Sequence, residues 1–152
     1  MKLLILEDDP GSQDILLENL QLRGFEVDVC GRMEDAFLHL AATHFDAVLV
    51  DIRLPGCNGM EHIERLCRDH ADSVIVVMTG YPSLETCLDA LQLGAYGYLV
   101  KPFKVDEVQE MLERGHRERL LRKEVSGLRD RIADLERELG RLKAGEGGNG
   151  PS

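Results

Sequence analysis

The 152-residue chain contains no run of 18 apolar residues, so no segment has the length and hydropathy of a membrane-spanning helix. Its opening, MKLLILEDD, turns acidic too soon for a secretory signal peptide. The four cysteines, Cys30, Cys57, Cys67 and Cys87, form no CxxC pair and no metal-ligand spacing. They read as reduced thiols used for packing, and a cytoplasmic setting is expected. Cys57 follows Pro55-Gly56 in a predicted loop and is expected to be the more exposed. His39, His44, His62, His70 and His116 make no i,i+4 metal pair with a helper carboxylate, and no chemistry is assigned to them. A GxxxxGK[ST] loop is missing, so nucleotide binding is not indicated. Basic charge is scarce where the chain is most globular. Residues 1–113 hold 8 Lys/Arg against 21 Asp/Glu, which argues against a grip on nucleic-acid backbone.

What is present is an alternation. Apolar runs and helical patterns succeed one another five times: KLLILE, FEVDVC, DAVLVDI, SVIVVMT and YGYLV read as strands. Between and after them, SQDILLENLQLRG, MEDAFLHLAA, MEHIERLCRDH, SLETCLDALQLG and VDEVQEMLERG read as helices, with Pro10-Gly11 read as the break after the first strand. LPGCNG reads as a loop. Five strands alternating with five helices predict an α/β domain, a parallel doubly wound sheet covered on both faces, with strands 3 and 4 central.

In such a sheet chemistry lies at the carboxyl ends of the strands. Strand 1 ends at Glu7-Asp8-Asp9, strand 3 at Asp51, strand 4 at Thr79 and strand 5 at Lys101. Singly, each is an ordinary solvated end, cap or turn residue. Together they offer clustered carboxylates, a hydroxyl and an ammonium. Carboxylates so close need a neutralising charge, and Mg²⁺ takes one or two carboxylates plus a phosphate oxygen. Lys101 and Thr79 add a point charge and a hydrogen bond for a phosphoryl group. A carboxylate can itself attack phosphorus and become an acyl phosphate.

The segments LILEDDP, LVDIRLPGCNGMEHIERL and VIVVMTGYPSLETCLDALQLGAYGYLVKPF resemble response-regulator receiver domains, in particular those of nitrogen-regulator-type (NtrC-like) enhancer-binding activators. The resemblance covers about residues 2–113. It implies the flavodoxin-like strand order 2-1-3-4-5. Asp51 is then the phosphoacceptor, loaded by a sensor histidine kinase. Glu7, Asp8 and Asp51, with the backbone carbonyl of Arg53, become the Mg²⁺ ligands. Thr79 and Lys101 contact the phosphoryl group, and Thr79 and Tyr98 form the switch. The Lys101–Pro102 bond is expected to be cis. Asp9 carries less weight. Glu7 stands where the family more often has Asp, which lengthens one metal arm. Tyr96 is expected on the face opposite Tyr98. Arg53 and Tyr81, each two residues past a site residue, are expected to flank the entry for attacking water and to slow self-dephosphorylation. The chain is not assigned as an enzyme.

A second module is read beyond residue 113. Residues 114–143 hold 10 Lys/Arg against 6 Asp/Glu. Leu121, Val125, Leu128, Ile132, Leu135, Leu139 and Leu142 follow 4,3 spacing, with Val125, Ile132 and Leu139 at a. That pattern predicts a parallel two-stranded coiled coil. The facing g–e′ pairs, Glu124–Arg129, Arg131–Glu136 and Glu138–Lys143, are all opposite in sign. Helix 5 is expected to run into this coil with Gly115 as a soft spot, and residues 144–152 to be a flexible Gly-rich terminus. The expected domains are thus 1–113, 114–143 and 144–152, forming a homodimer through residues 121–142 whose phosphorylation switches transcriptional output. No direct contact with nucleic acid or membrane is expected. In the activators that this chain resembles, a coiled linker leads to an ATPase and a DNA-binding domain. Neither is read here, so the chain is expected to be a piece of such a protein or a short regulator. Two alternatives are a basic-zipper-like DNA binder, from RGHRERLLRK before the leucine seam, and an aspartyl-phosphate hydrolase. For the latter, DIR lacks the second acid.

Overall fold

The computed structural model describes residues 1–57 and 59–147. Its elements are β1 (Lys2–Leu6), α1 (Pro10–Leu22), β2 (Glu26–Cys30), α2 (Met33–Ala42), β3 (Ala47–Asp51), α3 (Glu61–Asp69), β4 (Val74–Thr79), α4 (Leu84–Gln92), β5 (Gly97–Val100) and α5 (Val105–Gly147). The five strands form one parallel sheet in the order β2-β1-β3-β4-β5.

Alternation along the strands sorts the core into two layers. Leu4, Leu6, Val48, Val50, Ile75 and Val77 pack with Met33 and Ala36 of α2, Ile63 and Leu66 of α3, and Ala90 of α4. Leu3, Ile5, Leu49, Val76 and Leu99 turn to the opposite face, against Leu16 and Leu20 of α1 and Val108 and Leu112 of α5. Each fully buried Leu, Ile or Val side chain contributes about 1.5–3 kcal/mol. With both faces covered, β1, β3 and β4 need apolar residues at nearly every position, which is why they read as continuous runs. Tyr96 packs with the α1/α5 layer and Tyr98 with the other; residues two apart within one strand share a face, but Tyr96 precedes β5, which begins at Gly97.

Two local readings are corrected. Pro10 does not interrupt the chain before the first helix; it is the first residue of α1. A proline fits there because its missing N–H is one of the donors that a helix start leaves unpaired. Asp9 is the cap: its Oδ2 accepts from the Ser12 N–H and hydroxyl, both at 2.9 Å. Gly115 is not a soft spot. It is buried inside α5, and a Cβ there would meet Val74 Cγ1 at 2.7 Å and Tyr96 Cδ1 at 3.0 Å. The helix uses glycine to lie close against the sheet.

The chain divides into two compact units, Met1–Arg117 and a second from Glu118 onward. In the second, the helix carries the heptad residues Leu121, Val125, Leu128, Ile132, Leu135, Leu139 and Leu142, all between 44% and 63% exposed. Helix continues through residues 144–147, where a flexible terminus was expected; residues 148–152 of that segment, and Asn58 of the LPGCNG loop, lie outside the described residues. Among the described residues, no helix is long and apolar enough to cross a membrane.

Candidate functional site: an acidic centre at the carboxyl edge of the sheet

β1, β3 and β4 end side by side. The register pairs Leu6 with Val50 and Asp51 with Met78, so Glu7, Asp51 and Thr79 emerge at one edge. All three are nearly or fully buried: Glu7 is 1% exposed, Asp51 6% and Thr79 1%. Asp8 is exposed. Carboxylate oxygens of Glu7, Asp8 and Asp51 lie within 4.8 Å of one another, the one acidic or mixed-donor group of that kind among the described residues.

Lys101, just past β5, reaches into this group. Its Nζ donates to Glu7 Oε2 at 2.5 Å and to Asp51 Oδ2 at 2.6 Å. Burial opposes the lysine's charge, but the hydrogen bonds to Asp51 and Glu7 outweigh it and lift the pKa above the ordinary lysine value. The Lys101–Pro102 peptide bond is cis, as the family resemblance implied. The other Asp51 oxygen, Oδ1, accepts the Arg53 N–H at 2.8 Å. Glu7 is held by its neighbours as well: Oε1 accepts the Asp9 N–H at 3.1 Å, and its backbone carbonyl accepts from the Gln13 side-chain amide.

One ammonium against three carboxylates leaves two negative charges in excess. Carboxylates about 4 Å apart repel by about 4 kcal/mol at an effective dielectric near 20. An all-oxygen donor set with that excess fits a hard divalent cation, and Mg²⁺ best suits a site with few protein ligands.

Thr79 Oγ1 accepts the Tyr81 N–H at 3.1 Å, and Tyr98 OH shares a 2.8 Å hydrogen bond with Thr86 Oγ1 of α4. Thr79 and Tyr98 thus stand on adjoining strands, each tied at present to the β4–α4 segment. Arg53 and Tyr81 do more than flank the site. The guanidinium stacks on the ring, 4.1 Å from its centroid, joining the loops that follow β3 and β4. Sequence reasoning did not anticipate that stack, the Gln13 contact, or His62, whose Nε2 lies 3.2 Å from the Asp51 backbone oxygen. Burial lowers the His62 pKa, so the ring is neutral near pH 7.

The fold and the site together define a doubly wound α/β domain with a lysine-bridged acidic centre at its topological edge. The family model for the response regulator receiver domain matches residues 3–113, and the chain belongs to that family, the receivers of two-component systems. It is 31% identical over 133 residues to the regulatory protein AtoC of Escherichia coli, covering 87% of this chain and 29% of AtoC. Across the curated relatives it matches, the chain spans from 25% to 61% of their length. Among solved structures, a Burkholderia pseudomallei response regulator described with a phosphorylated aspartic acid, calcium ion and citrate superposes with a TM-score of 0.70 at 28% identity, over 82% of this chain and 74% of that one. The beryllofluoride-activated NtrC4 receiver domain dimer superposes with a TM-score of 0.73 at 25% identity, over 78% of this chain and 98% of that one.

Proposed function

We propose that this receiver accepts a phosphoryl group on Asp51 from the phosphohistidine of a sensor histidine kinase and reads it out through a parallel homodimer that controls transcription. The observation that carries the reading is the Lys101 bridge between Glu7 and Asp51 beside Asp8. In the transfer, an Asp51 carboxylate oxygen bonds to phosphorus while the phosphorus–nitrogen bond to the donor imidazole breaks, leaving an acyl phosphate. Glu7, Asp8, Asp51 and the backbone carbonyl of Arg53 would hold Mg²⁺, which supplies positive charge to the phosphoryl oxygens. Lys101 trades a carboxylate for a phosphoryl oxygen, and the Thr79 hydroxyl donates to another.

Thr79 and Tyr98 form the switch. Turning Thr79 towards the phosphoryl group releases the Tyr81 N–H and opens room for the Tyr98 ring. The ring's inward turn costs the bond to Thr86 and so alters the face of α4. The phosphorylated aspartate of the Burkholderia pseudomallei regulator supports the role given to Asp51, and the activated dimer of NtrC4 supports a dimeric readout. The dimer itself is argued from the exposed heptad seam and its three opposite-charge g–e′ pairs.

Sedimentation of the pure chain with Mg²⁺, before and after beryllofluoride, tests the proposal. The wild-type dimer is expected to change its sedimentation coefficient while Asp51→Ala does not. A wild type that is monomeric, or that responds no differently from Asp51→Ala, contradicts it.

A further inference from the structure

His62, near the start of α3, is 6% exposed and packs in the layer beneath β3. Its two ring nitrogens differ. Nε2 lies 3.2 Å from the backbone carbonyl oxygen of Asp51, and Nδ1 is buried with no hydrogen-bond partner. A carbonyl oxygen only accepts, so Nε2 carries the proton and Nδ1 is bare. A leucine would fill this space without stranding a nitrogen. What the imidazole adds is one directed bond to the main chain of the aspartate at the centre of the site. That carbonyl begins the turn that brings the Arg53 N–H back to Asp51 Oδ1 at 2.8 Å. The aspartate is therefore held at both ends, its main chain by His62 and its carboxylate by Arg53 and Lys101.

We infer that His62 is a positioning residue for Asp51: its Nε2–H fixes the peptide at the end of β3, and with it the aim of the carboxylate and the place of the Arg53 amide. The inference rests on Asp51 as phosphoacceptor, and it assigns His62 no contact with the phosphoryl group. Residues that orient a reacting group from behind change rates by about 10–100-fold when their bond is lost.

The test compares His62→Met with His62→Gln in the full chain. The two side chains have similar length and flexibility, and only glutamine offers an N–H donor. Two readouts are taken: the ¹H–¹⁵N resonance of the Arg53 amide, and the rate of acyl-phosphate formation from acetyl phosphate with Mg²⁺. His62→Met is expected to shift the Arg53 resonance and slow phosphorylation by about tenfold, with melting changed by only a few degrees. His62→Gln is expected to recover both. A methionine variant that keeps the wild-type resonance and rate overturns the inference, as does a glutamine variant as slow as methionine. In the wild type the ring ¹⁵N shifts must report a protonated Nε2 and a bare Nδ1, and the opposite tautomer overturns the inference however the variants fold. A wild type that takes up no phosphoryl group defeats the phosphoacceptor reading instead, and the Arg53 resonance and ring shifts then still decide whether His62 holds the β3 end.

Discussion

Cys30 closes β2 with 5% of its surface exposed, and burial together with the carboxylates of Asp35 and Asp28 pushes its thiol up from 9.0 to about 11. The fold therefore favours the protonated thiol. That contribution is whole below pH 9, where the unfolded chain also keeps the proton, and is lost as pH rises through about 11. Two pH units correspond to at most about 3 kcal/mol. Denaturant unfolding at pH 8 and pH 10.5 is expected to show a smaller loss of stability for Cys30→Ala than for wild type. Equal losses would place no folded-state bias on this thiol. A second expectation concerns the stacked pair at the mouth of the site. The contact between Arg53 and Tyr81 is expected to screen Asp51 from attacking water; Arg53→Ala and Tyr81→Ala are each expected to shorten the acyl-phosphate lifetime by about tenfold, roughly 1.4 kcal/mol of barrier. Discharge of the purified phosphorylated chain, followed over time, checks this, and unchanged lifetimes would show that the stack does not gate water. At this scale the residues at the strand ends were legible before the structure, because an open parallel sheet delivers Glu7, Asp51, Thr79 and Lys101 to one edge. His62 was not. In MEHIERL it is one polar residue on an amphipathic helix, and its partner is a backbone oxygen eleven residues away that comes near only once α3 packs under β3.

Glycine in a helix is a cost of about 1 kcal/mol relative to alanine, and α5 carries it at places with opposite surroundings. At Gly115 an added Cβ runs into Val74 and Tyr96, whereas at Gly127 nothing lies within 4 Å. Gly127→Ala is expected to stabilise its helix by up to about 1 kcal/mol. Gly115→Ala gains the same propensity but has to move a β-branched side chain and an aromatic ring, and a net loss of about 1–3 kcal/mol is expected. Urea unfolding monitored by circular dichroism distinguishes the two, and a stabilised Gly115→Ala would mean that α5 is seated loosely after all. Helix boundaries show why local signals are incomplete. Pro10 looks like a breaker when read as the end of a strand and like a starter once Asp9 is seen capping Ser12. The same residue serves both descriptions, and only the position of the cap decides. Gly115 sits where the charge composition changes, which drew attention to it as a joint; the close approach that demands it belongs to residues on β4 and beside β5.

The whole molecule combines an acidic receiver with a helix whose apolar seam is left exposed along three heptads. The two-layer core follows from the alternation of apolar runs and amphipathic helices, visible in the sequence, whereas the order β2-β1-β3-β4-β5 was implied by the family resemblance. The heptad spacing was equally visible, since 4,3 periodicity is a local property of one helix. What a sequence of one chain leaves open is pairing between copies, which is a property of concentration and partner rather than of spacing. The central claim is that the strand ends build one phosphoryl site on Asp51. Intact-mass spectrometry of the chain after acetyl phosphate and Mg²⁺ tests it most directly. Wild type is expected to gain the mass of a single phosphoryl group, removable with hydroxylamine as an acyl phosphate is, and Asp51→Ala to gain none. A wild type that gains no mass, or an Asp51→Ala variant that gains as much, would contradict it.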